Sequence, residues 1–171
     1  MAPTGLTVDC AEVEVGRVTR AASDLGSRTG GPVVVVGHSR GGQLALVTAF
    51  RQPALVARVV TAGTPWRTGV PDQPVARAGA GLAAVAKRMC LPVPGSLACG
   101  YAPCCERFRT ELAHPPAVPW VALWSKDDRV VSPANARLAG AQCVEVSGGH
   151  LRLVLSPANR QAIREAAFLP V

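Results

Sequence analysis

A serine stands in the pattern Gly-x-Ser-x-Gly near the start of the chain, in the segment GHSRG at residues 37–41. The four valines at 33–36 are typical of a strand buried on both faces in a parallel sheet, and residues 41–50 are typical of a helix. A serine in such a turn is strained and exposed above the sheet, and small residues are expected at positions 37 and 41 because the backbone doubles back there. The pattern predicts attack by the Ser39 hydroxyl on a carbonyl group.

A serine hydroxyl is a weak nucleophile and needs a base that a third group holds in place. His150 follows a predicted strand at 142–147, and Asp127 and Asp128 follow another at 120–125. Because the carboxyl ends of parallel strands lie at one edge of a sheet, these loops can converge on Ser39. The sequence therefore predicts proton transfer from Ser39 to His150, which one of the two carboxylates orients.

The helix predicted after Ser39 would point its amino end at the site. The backbone amide of Arg40 could then donate a hydrogen bond to a developing oxyanion. A glycine-rich turn can also bind phosphate, but such a loop requires a lysine beside Ser or Thr, which this segment lacks. A turn with no chemical role is the remaining alternative.

The elements that must position these residues alternate along the chain. Predicted strands cover 32–36, 55–62, 120–125 and 142–147, and predicted helices cover 9–25, 41–50, 75–89 and 156–168. This order predicts an α/β fold, with a parallel sheet of about four strands flanked by helices, in one domain over residues 1–171. Prolines interrupt residues 63–119, and this Pro- and Cys-rich segment is predicted to be a lid or insertion.

Specific residues predict where the first and last helices begin and end. In the first helix, Asp9 and Glu12 resemble an acidic capping box, and Gly26 is predicted to end the helix. One face of this helix is apolar, and its opposite face is charged. Ser156, with Pro157 at the first helical position, predicts the start of the last helix.

Composition narrows the function classes. The chain has 171 residues, of which 49% are hydrophobic, enough for a single core. Its net charge of +7 suggests nucleic-acid binding, but the arginines are scattered and no basic run is interleaved with aromatic residues, so no nucleic-acid partner is expected. No apolar run reaches the roughly 18 residues of a membrane span, and no signal peptide is visible, so a cytoplasmic location is expected.

The six cysteines are expected to be reduced thiols in that location. Four of them lie close together, at positions 90, 99, 104 and 105, and could form disulfides if the protein were exported. Their spacing lacks paired C-x-x-C ligands, so no metal site is expected.

Four segments together resemble the α/β-hydrolase family, in particular the second half of its lipase- and esterase-like members. They are GHSRGG at 37–42, LVARVVTAGTP at 55–65, WSKDDRVVSP at 124–133 and GGHLRLVLSP at 148–157. The resemblance extends from residue 9 to 168 and implies a truncated α/β-hydrolase fold. It also implies the chain order Ser, Asp, His, with Asp128 rather than Asp127 as the acid, because the family's S-x-x-D followed by two valines aligns there.

The reaction implied by this resemblance is two-step acyl transfer that hydrolyses a small carboxylic ester with a hydrophobic acyl group and needs no cofactor. His38 and Trp66 are predicted to bind the substrate. The same residues would serve an acyltransferase or a thioesterase, and a vestigial hydrolase fold could instead be a binding module without turnover.

Family members usually carry further strands before this serine, and a loop among those strands donates the second oxyanion amide. Only one helix is predicted before the first strand here, so a sheet of four strands would leave one edge exposed. Three explanations remain open: the chain is a minimal variant, a homo-oligomer completes the sheet, or Met1 is an internal start in a longer protein.

Overall fold

The computed structural model describes residues 10–66, 72–74, 105–137 and 140–168. One parallel sheet of four strands lies at its centre, in the order β1-β2-β3-β4. The strands are β1 Val33–His38, β2 Val56–Ala62, β3 Trp120–Trp124 and β4 Gln142–Glu145. Because every strand runs in the same direction, all four carboxyl ends meet at one edge, and the predicted parallel sheet is confirmed.

Helices cover both faces of this sheet. They are α1 Ala11–Thr29, α2 Arg40–Arg51, α3 Glu106–Leu112, α4 Pro133–Ala136, α5 Arg152–Leu155 and α6 Pro157–Phe168, with a short 3-10 helix at Pro53–Leu55. Buried residues of α1, α2 and α3 form one apolar cluster with the sheet. Leu153 of α5 and Ala166 of α6 form the other cluster with β2 and β3. The fold therefore has three layers, helices on sheet on helices.

Alternation along β2 divides its side chains between these two clusters. Val59 faces the α1–α2 side, while Val60 and Ala62 face the α5–α6 side. Val56 also faces the first side, because the register between β1 and β2 shifts near Val33.

β1 lies at the edge of the sheet, with no strand of the described residues on its outer side. Val33 is buried, Val34 and Val35 are partly buried, and Val36 is 49% exposed. The prediction that this run is buried on both faces was therefore wrong, because an edge strand lacks a neighbour to cover it. The prediction of an exposed sheet edge is met in the described part of the chain.

The first helix begins and ends later than predicted. Its N-cap is Cys10, with no side-chain capping bond. Asp9 lies outside the described residues, so the capping box predicted there stays a prediction. The helix continues through Gly26 and ends at Gly30, which has φ 79° and donates its N–H to the Gly26 carbonyl at 2.8 Å. Glycine adopts this left-handed conformation without steric cost, which makes Gly30 the better terminator.

Two charged side chains of α1 do not follow the predicted polar face. Glu14 is buried, only 2% exposed, and is 3.1 Å from the guanidinium of Arg17. Glu12 pairs at 2.7 Å with Arg51 of α2, whose guanidinium also contacts Glu111 of α3. The Glu14–Arg17 pair lies within α1, whereas the two pairs of Arg51 link α1, α2 and α3 to one another in addition to their apolar packing.

The predicted lid at 63–119 lies largely outside the described residues, as does the helix predicted at 75–89, and both stay predictions. The end of that segment is described and forms α3, where Phe108 and Leu112 are buried in the same cluster as α2. Cys105 beside it is buried, and its Sγ lies 3.5 Å from that of Cys10, a contact between thiols rather than a disulfide bond. This end of the segment belongs to the core.

Two properties of the described ranges bear on membranes and metals. No helix there is long and apolar enough to cross a membrane. No group of three His, Cys, Asp or Glu residues in the same ranges could hold a metal ion. Cys90, Cys99 and Cys104 lie outside those ranges, so their predicted reduced state stays a prediction.

Candidate functional site

Ser39 is the single residue between β1 and α2. Its φ is 52° and its ψ is −122°, and it is the one non-glycine residue with positive φ in the part of the chain that the structure describes. Such backbone costs energy and persists only where its surroundings fix it. Two hydrogen bonds do so, from Ser39 N–H to the Ala62 carbonyl at 2.9 Å and from Gly42 N–H to the Ser39 carbonyl at 3.0 Å.

Two glycines make this turn sterically possible, but they are not the pair that the motif predicts. A Cβ on Gly37 would lie 2.3 Å from the Gly41 carbonyl oxygen, so the need for a small residue at 37 is confirmed. Among the described residues, a Cβ on Gly41 would meet nothing within 4 Å, so the collision predicted at 41 is not found there. The second tight position is Gly42, where a Cβ would lie 2.0 Å from Thr64 Oγ1, because the first turn of α2 packs against the chain that follows β2.

Asp128 and His150 lie together at the carboxyl end of the sheet. His150 Nδ1 is 2.8 Å from Asp128 Oδ2, and the Asp128 side chain is only 1% exposed. The other carboxylate oxygen, Oδ1, accepts the N–H groups of Val130 at 2.8 Å and Val131 at 3.0 Å. Asp127 is exposed, and its N–H donates to Ser125 Oγ.

These bonds determine the charge of Asp128. Burial alone would raise the pKa of the carboxyl, but the hydrogen bonds from His150, Val131 and Val130 outweigh it and hold the pKa below its usual value. An ionised Asp128 keeps a proton on His150 Nδ1 and leaves Nε2 as the acceptor, the tautomer that a general base requires.

Gly63, directly after β2, packs against this pair. A Cβ there would lie 3.0 Å from Asp128 Oδ2 and 3.2 Å from His150 Nδ1, and its φ of 54° also favours glycine. Sequence reasoning missed this position. The available signal was a glycine immediately after a predicted strand, in the segment TAGTP.

His38, predicted to bind substrate, contacts the imidazole of His150. The two ring centres are 4.6 Å apart, and His38 Nε2 lies 3.0 Å from the His150 carbonyl oxygen, so the His38 Nε2–H donates this bond. Burial and the neighbouring His150 lower the pKa of His38, which keeps its ring neutral beside the His150 ring. A role of His38 in binding substrate stays a prediction.

The lowered pKa of His38 gives stability a pH dependence. Since the unfolded chain takes up a proton near the ordinary histidine pKa of about 6.5 while the folded chain does not, stability is full above that pH and falls as pH is lowered towards the folded pKa. We expect a His38→Gln variant to lose less free energy of unfolding than the wild type between pH 7.5 and 5.5, measured by urea denaturation. A His114→Gln variant, changed at an exposed position, should follow the wild type; an equal decline in all three proteins would contradict the expectation.

Ser39 and the Asp128–His150 pair share one edge of the sheet. The described residues show no hydrogen bond between the Ser39 hydroxyl and His150. The residue before Ser39 contacts the His150 ring, and Nε2 is the ring nitrogen that Asp128 does not occupy. A hydrogen bond between a serine hydroxyl and a histidine of this type is often long in a structure without substrate and shortens when substrate binds.

Trp66 packs at the border of the first apolar cluster. Its ring centre lies 5.9 Å from that of Trp120, and its single backbone N–H donates to the carbonyls of both Thr64 and Asn135. Trp120 is a core residue, 5% exposed, whose Nε1 donates to Thr61 Oγ1 at 3.0 Å. Packing against the core accounts for the Trp66 ring, and its predicted contact with substrate stays a prediction.

Arg40 is the first residue of α2. The N–H groups at the start of a helix have no acceptor within it, so the Arg40 amide is available to an oxyanion beside Ser39. Its side chain is partly buried, and neither Nε nor Nη2 has a hydrogen-bond partner in the described structure.

Comparison with known proteins identifies the architecture. No family model and no curated protein matches the chain. Among solved structures, the chain is similar to a monoacylglycerol lipase from Paleococcus ferrophilus, with 16% identity and a TM-score of 0.57 over 90% of this chain and 75% of the lipase. It is also similar to a candidate non-heme bromoperoxidase from Mycobacterium tuberculosis, with 16% identity and a TM-score of 0.62 over 95% of this chain and 75% of the other.

A third similar structure is an α/β-hydrolase fold protein from Burkholderia ambifaria, with 19% identity and a TM-score of 0.55 over 90% of this chain and 72% of the other. At sequence identities this low, structural similarity shows the fold but does not show which reaction a protein catalyses. The parallel sheet, the strained serine turn and these likenesses together show that the chain has the α/β-hydrolase fold.

Proposed function

We propose that this protein is a serine hydrolase that cleaves a small carboxylic ester with a hydrophobic acyl group. The observation that carries the proposal is the hydrogen bond of 2.8 Å between buried Asp128 and His150, at the edge of the sheet where Ser39 occupies its strained turn. A carboxylate that fixes one imidazole nitrogen leaves the other free to take a proton. The lipase among the similar structures supports an ester as the substrate.

The proposed reaction has two steps. Ser39 Oγ forms a bond to the acyl carbon while its proton moves to His150 Nε2, and the carbonyl oxygen becomes an oxyanion. When the ester bond breaks, His150 returns the proton to the leaving alcohol. Water then attacks the acyl-enzyme with His150 as base, which releases the carboxylic acid and restores Ser39.

Stabilisation of the oxyanion would begin with the Arg40 amide. Loss of one oxyanion donor costs about a hundredfold to a thousandfold in rate, so a second donor beside the Arg40 amide would contribute by the same factor.

The edge of β1 has no neighbouring strand among the described residues. We propose that two copies of the chain associate at this edge and so complete the sheet. If the protein were a non-catalytic binding module, the same edge would be the surface that binds its partner.

A fluorophosphonate probe tests the proposal, because it forms a covalent bond only with an activated serine. We expect stoichiometric labelling of the wild type, mapped to Ser39 by mass spectrometry, and none of a Ser39→Ala variant. Ser27→Ala, which removes an exposed hydroxyl of α1, is the matched control and should label fully. A wild type that is folded but not labelled would contradict the proposal and favour a binding module. If the wild type is labelled, product analysis then distinguishes hydrolysis from acyl transfer to another acceptor.

A further inference from the structure

Two consecutive glycines precede His150, in the loop that joins β4 to α5. Gly148 has φ 106°, a left-handed conformation that side chains disfavour. Among the described residues, a Cβ on Gly149 would come within 4 Å of the Asp127 carbonyl oxygen alone, at 3.7 Å. Because glycines have no side chains that could pack, the position of His150 depends on bonds that reach the loop from other elements.

The side-chain amide of Asn159 in α6 joins the two ends of this loop. Its Nδ2 donates to the Ser147 carbonyl at 2.9 Å and to the Arg152 carbonyl at 3.0 Å. Since carbonyl oxygens only accept hydrogen bonds, both hydrogens of one NH₂ group are used. Asn159 is only 4% exposed, so water competes little for its amide. The two bonds enclose residues 148–151, the segment that contains His150.

Two other side chains hold the same loop at His150 itself. His38 Nε2–H donates to the His150 carbonyl at 3.0 Å, and Asp128 Oδ2 lies 2.8 Å from His150 Nδ1. Each of these bonds fixes one point of the loop, whereas Asn159 fixes both of its ends. The position of the imidazole therefore depends on three separate elements, which are the end of β1, the loop after β3 and α6.

A tetrapeptide that occurs twice in the chain contains Asn159. Ser-Pro-Ala-Asn stands at 132–135 and again at 156–159, once after each loop that carries a member of the Asp–His pair. In both copies the proline is the first residue of a helix, a common place for proline, and the asparagine is buried. The Asn135 side chain bonds the Asp72 carboxylate in another segment, whereas that of Asn159 bonds the loop before it. The start of a helix therefore does not explain the role of the Asn159 side chain.

From these bonds we infer that Asn159 is a positioning residue for His150. Its amide holds both ends of the loop and so keeps the imidazole at the edge of the sheet where Ser39 lies. The inference rests on the proposed function, because the ring needs this placement only if His150 takes the proton of Ser39. A reacting group displaced by about 1 Å can cost about a hundredfold in rate, so the two bonds are expected to affect the rate more than the fold.

The rate constant and the final extent of fluorophosphonate labelling test the inference together. Asn159→Ala removes both donors and leaves a small cavity, and Asn159→Leu removes them but fills most of the space. We expect both variants to label stoichiometrically at Ser39, with rate constants roughly tenfold to a hundredfold below that of the wild type. The extent reports how much protein is folded, while the rate constant reports the placement of the base. On a 4-nitrophenyl ester, kcat should fall by a similar factor with KM nearly unchanged.

Arg58→Met is the matched control, because it removes a buried bond to the far end of the same helix. Arg58 is 5% exposed, and its Nη1 donates to the Ala166 carbonyl of α6 at 3.1 Å. This variant should label with the rate constant of the wild type. A wild-type rate constant in Asn159→Leu would mean that Asn159 acts by packing, and a lower extent at an unchanged rate would mean that it only stabilises the fold. Either result would overturn the inference.

Proton exchange at His150 is a readout that needs no reaction. The Nδ1–H bonded to Asp128 gives a proton NMR signal, which is assigned by its absence in Asp128→Asn. We expect this proton to exchange with water roughly tenfold faster in Asn159→Leu and at the wild-type rate in Arg58→Met, because exchange requires the loop to open. Faster exchange with an unlabelled wild type would refute the hydrolase and uphold the holding of His150 by Asn159. Unchanged exchange with a labelled wild type would overturn the inference and leave the hydrolase standing.

Discussion

An Asp128→Asn variant is expected to lose about 10⁴-fold in kcat on ester substrates while remaining folded. Asparagine keeps an oxygen that can accept the N–H groups of Val130 and Val131, so the loop is preserved. Its NH₂ group, however, would face His150 Nδ1 and turn that nitrogen into an acceptor. The ring proton would then lie on Nε2, where it cannot accept the proton of Ser39. The measurement is steady-state hydrolysis of a 4-nitrophenyl ester, with circular dichroism to check folding.

Asp127→Asn is the matched control, since it makes the same chemical change one residue earlier. The Asp127 side chain is exposed, whereas that of Asp128 is buried against His150. We expect Asp127→Asn to retain most of the wild-type kcat. A large loss at Asp127 with little loss at Asp128 would reverse the assignment of the acid.

The pKa of Asp128 adds a dependence of stability on pH to this comparison. Because its folded pKa lies below the unfolded value of about 3.9, the ionised carboxylate stabilises the fold above that pH. This contribution is lost as pH falls through the lower, folded pKa. The difference in unfolding free energy between the wild type and Asp128→Asn should therefore shrink below about pH 4, in urea denaturation at constant ionic strength.

Much of the site could be predicted because its residues stand at strand ends. Ser39, Asp128 and His150 each follow a predicted strand, and parallel strands carry whatever follows them to the same edge of a sheet. Residues 120–124 form a continuous apolar run, and residues 56–62 are apolar except for Arg58 and Thr61, so both strands were clear from sequence. Element type and order therefore followed from local pattern.

The features that sequence reasoning missed depend on contacts between distant segments. α3 and α5 are seven and four residues long, too short for a helical period to be evident, and α3 is stabilised by the burial of Phe108 and Leu112. The exposure of Val36 depends on which strands lie beside β1, and a run of valines cannot show that. The contact between His38 and His150 joins residues 112 positions apart.

The glycines of the serine turn show the same limit and give the sharpest test of the fold. The motif predicts equal need for glycine at 37 and 41, but only at 37 would a Cβ meet backbone, 2.3 Å from the Gly41 carbonyl oxygen. Gly37→Ala is therefore expected to cost about 3 kcal/mol or more in unfolding free energy, since backbone cannot move aside as a side chain can.

Gly41→Ala is the matched variant, at a position where the added methyl group meets none of the described residues within 4 Å. Because alanine has a higher helix propensity than glycine, the unfolding free energy of Gly41→Ala should equal that of the wild type or exceed it by up to about 1 kcal/mol. Both values come from chemical denaturation of the two variants beside the wild type. If both alanines destabilised the protein alike, the turn would be tight at 41 as well, and the chain would leave β1 along a different path from the one that presents Ser39 at the sheet edge.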